Sequence, residues 1–369
     1  MHGDRIALLD EGARVATICN ACRYCEGHCA VFPALERRTV FAETDLDRLA
    51  QLCHQCGACY AHCQYAAPHE FDVNVPVVMA KLRLSGYAKF ARPTLLGQAF
   101  EHGLWFSVVS FVALLLFFVG GAIGINGADS LIRLYPQGFY DFMPHVLMAG
   151  IFAVLALFVI CVWVSSLSAY WRQLELPAFW HIQPATYWQA LLSGMMLKNL
   201  DGGHERGCYE VSDEPSQWRR RSHHLVMYGF LLCFAATLTG TIYHYGFQYP
   251  APYPWLSLPK LFGTVGGLML ITGCTGLGFA NVRIRREIEV DDGGLGHGLL
   301  VLLFFTGLTG LMLPLLRDSV WMALMLCTHL ASVAALFLNF ACGKFVHGLY
   351  RLVALVADEH EISLNAPDH

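Results

Sequence analysis

Eight of the fourteen cysteines in this chain fall between residues 19 and 63, in two copies of one pattern, Cys19-x2-Cys22-x2-Cys25-x3-Cys29 and Cys53-x2-Cys56-x2-Cys59-x3-Cys63. Such a spacing leaves the backbone little choice, because three thiolates wrap one corner of a cubane while the fourth crosses to a neighbouring cluster. The tract therefore reads as two [4Fe-4S] clusters with exchanged ligands. One takes Cys19, Cys22, Cys25 and Cys63; the other takes Cys53, Cys56, Cys59 and Cys29. Structural zinc prefers two ligand pairs separated by a longer stretch, whereas here four cysteines crowd into eleven residues, twice. Disulfides are disfavoured, since no secretory leader precedes the tract and cysteines three apart suit metal ligation better than pairing. Ala30 and Gln64 stand where a proline commonly follows the fourth cysteine, so each loop must leave its cluster differently.

The rest of the chain is of another character. Only 14% of the 369 residues are charged and 56% are hydrophobic, against roughly 25% charged in soluble domains. Residues 1–92 hold ten acidic and ten basic side chains, and the long uncharged runs begin after Arg92. Two parts follow: a soluble head at 1–92 and a membrane body at 93–369, joined through about residues 87–103. The small, mixed net charge of −4 argues against a nucleic-acid partner.

Within the head, Asp45 to Leu52 places Leu46, Leu49 and Leu52 three apart, which predicts a helix capped by Thr44 or Asp45. A second helical segment follows Pro68 and ends near Gly86. With helices as spacers and little alternation nearby, the head is expected to be an all-helical ferredoxin-like domain. In the body, six stretches approach or exceed the roughly 20 residues needed to cross a bilayer. They are Leu104–Ile125, His145–Ser168, His224–Tyr245, Leu261–Asn281, Leu295–Leu316 and Val320–Gly343. The fold class is thus all-α: a two-cluster head followed by a six-helix transmembrane bundle.

Basic residues orient the spans. Arg172, Lys198, Arg206, Arg219, Arg220, Arg221, Arg283, Arg285, Arg286, Lys344 and Arg351 lie on the side of the head, whereas the other side shows Arg133, Lys260 and Arg317. Head and tail are therefore expected in the cytoplasm, a reducing compartment that suits clusters and free thiols. The segment 169–223 carries Trp171, Trp180, Trp188 and Trp218 and reads as partly interfacial. Span four is crowded with Gly263, Gly266, Gly267, Gly273, Gly276 and Gly278, which predicts close helix packing.

Ionisable side chains inside spans are costly and tend to mark function. On one continuous helix His329 and His347, eighteen residues apart, would face the same way, roughly 27 Å apart along the axis. Antiparallel packing of span three would bring His224 level with His347 and His244 roughly level with His329. Two axial imidazoles from facing helices would hold a b-type haem. His224 and His244 face about 200° apart on a straight helix, while His223 faces within about 60° of His244. The count of haems, one or two, stays open, as does a role for His145.

The paired cysteine motifs, the run His223 to Thr237 and the run Gly343 to Arg351 together resemble the TcuB/CitB family of tricarballylate utilization B proteins, over almost the whole chain. His224 with Gly229 five residues on, and His329 with His347, are similar to the haem-bearing helices of the nitrate reductase gamma subunit. That second resemblance implies His224, His329 and His347 as haem ligands, with Phe234 where the fourth would stand. The family resemblance implies a partner, an FAD-dependent tricarballylate dehydrogenase that oxidises tricarballylate to cis-aconitate. The B protein would carry electrons from its flavin to the quinone pool of the inner membrane. No nucleotide-binding glycine loop appears, so the first donor must be another chain. A membrane-bound redox sensor and a six-span transporter with a metal-binding head are the competing readings.

Overall fold

The computed structural model describes residues 2–136, 138–200, 216–288 and 292–365, with no side-chain description at 2–3 and 283–287. Arg206, counted above among the cytoplasmic basic residues, lies outside the described residues, as do the side chains of Arg283, Arg285 and Arg286. Among the described residues there is no β-strand, and helices make up about three quarters of the structure.

The head is built from α1 (His2–Cys22), α2 (Val31–Glu36), α3 (Glu43–Leu52), the single turn α4 (Ala58–Ala61) and α5 (Val75–Phe90). Leu46, Leu49 and Leu52 of α3 are buried against Val15 of α1 and Met79 and Leu82 of α5. The leucine spacing thus forms the head core. Helix α3 starts earlier than the sequence suggests, with Ala42 as its N-cap. Asp45 does not cap the helix from outside. It sits in the first turn and its carboxylate accepts the Ala42 N–H at 3.1 Å, satisfying a donor that the helix cannot use. Helix α5 is capped by Asn74, whose side chain accepts the Val77 N–H at 3.2 Å. It runs past Gly86 to Phe90 and leads through the short α6 (Gly97–Glu101) into the body.

Six helices are long and apolar enough to cross a membrane. They comprise α7 (Gly103–Asn126), α8 (His145–Gln173), α10 (Trp218–Thr241), α11 (Leu258–Ile288), α12 (Leu295–Leu316) and α13 (Met322–Cys342), with α9 (Pro184–Met195) between the second and third. Helix α10 continues into one π-helical turn, Ile242–Gly246. Its packing on α11 rests on glycines: a Cβ at Gly266 would lie 2.8 Å from the Gly229 carbonyl oxygen, and one at Gly273 would lie 2.7 Å from the Val226 nitrogen. Backbone meets backbone there, as the glycine-rich span predicts. Gly278 meets nothing within 4 Å and takes no part. Of the four tryptophans in the 169–223 segment, Trp180, Trp188 and Trp218 are exposed. Trp171, half-buried, and Trp218 donate their indole N–H to the carbonyls of Pro177 and Gly276.

The last span differs from expectation in a way that matters for the site. His329 and His347 do not share one helix. The helix stops at Gly343, whose N–H donates to the Asn339 carbonyl at 2.8 Å and whose φ of −118° and ψ of −171° are extended. A new helix, α14 (Val346–Asn365), then packs on α3, α8 and α9. Its residues Ala354, Leu355 and Val356 join the head core, together with Ile182 and Ala190. Charge fastens the same contact. Arg37 pairs with Asp358, Arg38 with Glu361 (Nη2 to Oε2, 3.0 Å) and Arg48 with Glu361 (2.5 Å).

Burial raises the pKa of Glu361, but the hydrogen bonds from Arg38 and Arg48 outweigh it and hold the carboxyl down at about 2. A depressed carboxylate contributes stability that is complete above its ordinary value and lost as pH falls through the depressed one. Glu361→Gln is accordingly expected to weaken docking of α14 by about 2 kcal/mol at neutral pH. Faster limited proteolysis beyond Gly343 would register this. In the wild type the same release should appear only as pH falls from about 4.5 toward about 2.

Candidate functional site

The eight cysteines of the head sort into two groups. Cys19 interacts electrostatically with Cys63, Cys25 and Cys22, and Cys25 with Cys63 and Cys22. Cys29 interacts with Cys53 and Cys56, and Cys59 with Cys56, Cys53 and Cys29 ahead of Cys25. The fourth cysteine of each motif therefore stands with the first three of the other. Burial first, and then the neighbouring sulfurs, push the Cys19 thiol up to about 12 and Cys25 to about 11. Such thiols ionise only when a bound cation compensates them, which is what a metal–thiolate bond does. Among the described residues no three His, Cys, Asp or Glu side chains converge to hold a single ion. Two quartets of mutually interacting thiols suit iron–sulfur clusters by the type and number of their donors.

The groups differ in setting. The outer one, Cys19, Cys22, Cys25 and Cys63, lies beside the exposed Tyr24, and Gln64 Nε2 donates to Cys22 Sγ at 3.6 Å. The inner one, Cys29, Cys53, Cys56 and Cys59, lines a cavity with His28, Val31, Phe32, His54, Gln55, Val75 and Pro76. The inner loop faces the membrane body: Leu197 and Leu200 pack on Cys56, and a Cβ at Gly57 would lie 2.6 Å from Ile288 of α11. Gln55, in the left-handed region at φ 55°, donates its N–H to Cys53 Sγ at 3.3 Å.

Next to this loop stand two histidines from the body and tail. The rings of His223 on α10 and His347 on α14 are 6.1 Å apart and 77° to one another. Two imidazoles at that separation would suit a haem iron, whose bonds to nitrogen are about 2 Å long. His347 Nδ1 lies 2.6 Å from the Lys344 carbonyl oxygen. That bond assigns the proton to Nδ1 and leaves Nε2 with its lone pair available to iron. His54, between Cys53 and Cys56, interacts electrostatically with both His223 and His347.

The histidines named from sequence are distributed differently. The ring that meets His347 is that of His223. His224, a step of 100° further round α10, turns its ring to Tyr228 and the carbonyls of Met195 and Met196. His244 does not meet His329 either: in the π-helical turn its ring stacks on His145, 3.8 Å away and 12° from parallel. Face-to-face rings cannot both point a nitrogen at an iron between them. His329 is held on α13 with its Nδ1 3.0 Å from Thr309 Oγ1.

Residues 106–368 match the family of the citrate utilization protein B, and residues 12–89 match that family's Fer4-like domain. The chain belongs to the citrate utilization protein B family. A curated member, "Citrate utilization protein B" from Escherichia coli, is 42% identical over 349 residues, 94% of this chain and 90% of its own length. No solved structure matches. The Fer4-like domain of the family spans both cysteine motifs, so an iron–sulfur character of the head follows from family as well as from spacing.

Four residues of the site were not singled out as such from sequence: His54, Arg83, Arg351 and, as the partner of His347, His223. His54 lies inside the second motif, and its place between two cysteines was a signal that could have been used. The arginines carried none, since each comes from a distant helix. Arg83 of α5 donates to the Ala50 carbonyl (2.9 and 2.7 Å), to the Cys53 carbonyl and to Gln55 Oε1 (2.8 Å). Arg351 of α14 donates to the Leu52 carbonyl (2.5 Å) and lies 2.5 Å from His54 Nε2.

Proposed function

We propose that this member of the citrate utilization protein B family is a membrane electron-transfer subunit. It accepts electrons from the reduced flavin of a partner dehydrogenase acting on a tricarboxylate, tricarballylate by family resemblance, and delivers them to membrane quinone. The observation that carries this reading is the unbroken succession of ligand sets, from the outer thiols to the inner thiols to the His223 and His347 pair. Two [4Fe-4S] clusters and a b-type haem supply one-electron carriers when bound. The chain's own residues hold them in order: Cys19, Cys22, Cys25 and Cys63 at the surface, Cys29, Cys53, Cys56 and Cys59 within, His223 and His347 at the membrane.

The proposal is for one haem, held by His223 and His347, whose rings the fold brings to 6.1 Å. The basic residues support a cytoplasmic head and tail in the inner membrane. His54 and Arg351 bridge the inner cysteine loop to the helix of His347, so no mobile element is required between carriers. A sensor would not need a line of ligands reaching the membrane, nor would a transporter.

The test is direct. The purified chain in quinone-containing liposomes, supplied with the dehydrogenase and its tricarboxylate, should reduce quinone, and omission of either protein should stop the reaction. A preparation that holds zinc in place of iron and shows no haem absorption would overturn the reading.

A further inference from the structure

The two cysteine groups are alike in ligand number but unlike in charge. Around the inner group the structure gathers two guanidinium groups from outside the motif. Arg83 is 6% exposed and spends its donors on the carbonyls of Ala50 and Cys53 and on Gln55. Arg351 is bonded to Leu52 and His54 and lies within electrostatic reach of Cys29, Cys53 and Cys56. Neither forms a salt bridge with a carboxylate among the described residues. Lys344, also at this loop, is paired with Asp292 at 3.3 Å. Among the described residues no buried arginine is bonded into the loops of the outer group in this way. Arg23 in that loop is exposed and directs its Nε to the Asn20 carbonyl, where water screens its charge.

The carbonyls at the end of α3 carry only a fraction of a negative charge. One buried and one half-buried cation, neither paired with a carboxylate among the described residues, therefore leave an excess of positive charge, and the inner thiolates are the anions beside it. A reduced cluster is one charge more negative than an oxidised one, and cluster potential follows local charge and hydrogen bonding.

We propose that Arg83 and Arg351 hold the inner cluster, at Cys29, Cys53, Cys56 and Cys59, at a higher reduction potential than the outer one, so that electrons entering from solution run inward. This rests on the electron-transfer reading above. In each transfer the outer cluster is oxidised by one electron and the inner one reduced by one, the reductant being the partner's reduced flavin. Both arginines are positioning residues, acting through charge on groups that they do not ligate.

The experiment is a potentiometric titration of the full-length purified protein with dithionite, followed by EPR. Two cluster signals at different potentials are expected. Cys22→Ser, which touches the outer set alone, should perturb the lower-potential signal. Arg351→Gln and Arg83→Gln should each move the electron equilibrium between the clusters at least tenfold toward the outer one, 59 mV for one electron. Arg351→Lys and Arg83→Lys, which keep the charge and lose the fork, should restore most of that difference. A role confined to capping α3 would leave the gap unchanged in the Gln variants, and that result would overturn the proposal. Should a Gln variant fail to assemble its inner cluster, the wild-type order decides, since a lower-potential inner cluster is equally fatal. Absence of clusters would sink the electron-transfer reading itself, whereas clusters of equal potential would sink this inference alone.

Discussion

A His223→Ala protein is expected to lose its haem, while a His224→Ala protein keeps it. The two side chains are neighbours in sequence, but a helix turns 100° between them, and only the ring of His223 stands 6.1 Å from that of His347. Removing either member of the pair leaves iron with one protein nitrogen. His347→Ala should therefore match His223→Ala, with haem absorption at or near zero in each. The thiolates are untouched in these variants, so the clusters should still bleach when the reduced dehydrogenase is added. Quinone reduction should cease, a loss of at least a hundredfold if the haem is the obligatory next carrier. Full haem content in His223→Ala, or its loss only in His224→Ala, would return the ligand to the position that sequence resemblance implied.

Replacing one cysteine should divide the head cleanly. Cys29 belongs to the first motif by sequence but stands with Cys53 and Cys56 in space. In Cys29→Ser the inner cluster should be lost and the outer kept, halving the cluster iron from about eight to about four per chain. Because the inner group lies between the outer one and His347, the haem should then stay oxidised when the flavoprotein is added, even though one cluster is reduced. Loss of the outer cluster instead, with Cys53, Cys56 and Cys59 still loaded, would show that each motif serves its own cluster.

What was legible in the sequence was what local spacing encodes. The duplicated cysteine motif, the leucines of α3 and six apolar runs each specify their element from within a short window, and each appears in the fold. What was not legible depends on chain direction changing at single residues or on distant segments meeting. Gly343 ends α13 because an extended residue there interrupts the helix, and no apolar count records this. The break invalidates the eighteen-residue register between His329 and His347, since the axial arithmetic assumes one straight helix. The step from His224 to His223 is likewise a matter of which face of α10 the tail meets. Arg83 and Arg351 come from helices separated from the inner motif by tens of residues and hundreds of residues, so nothing near Cys53 announces them.

The return of α14 into the head also bears on how the protein is made. Ala354, Leu355 and Val356, which follow Leu46 by about three hundred residues, complete a core that Val15 and Leu46 begin. The head core is therefore expected to close only after the six long helices between have been made and α14 has reached it. Until then the eight thiols would stand in an open head, within reach of whatever delivers iron and sulfide. Cluster loading would then precede the seal, and because His347 and Arg351 share α14 with the core residues, docking of that one helix would set both of them against the inner cysteine loop.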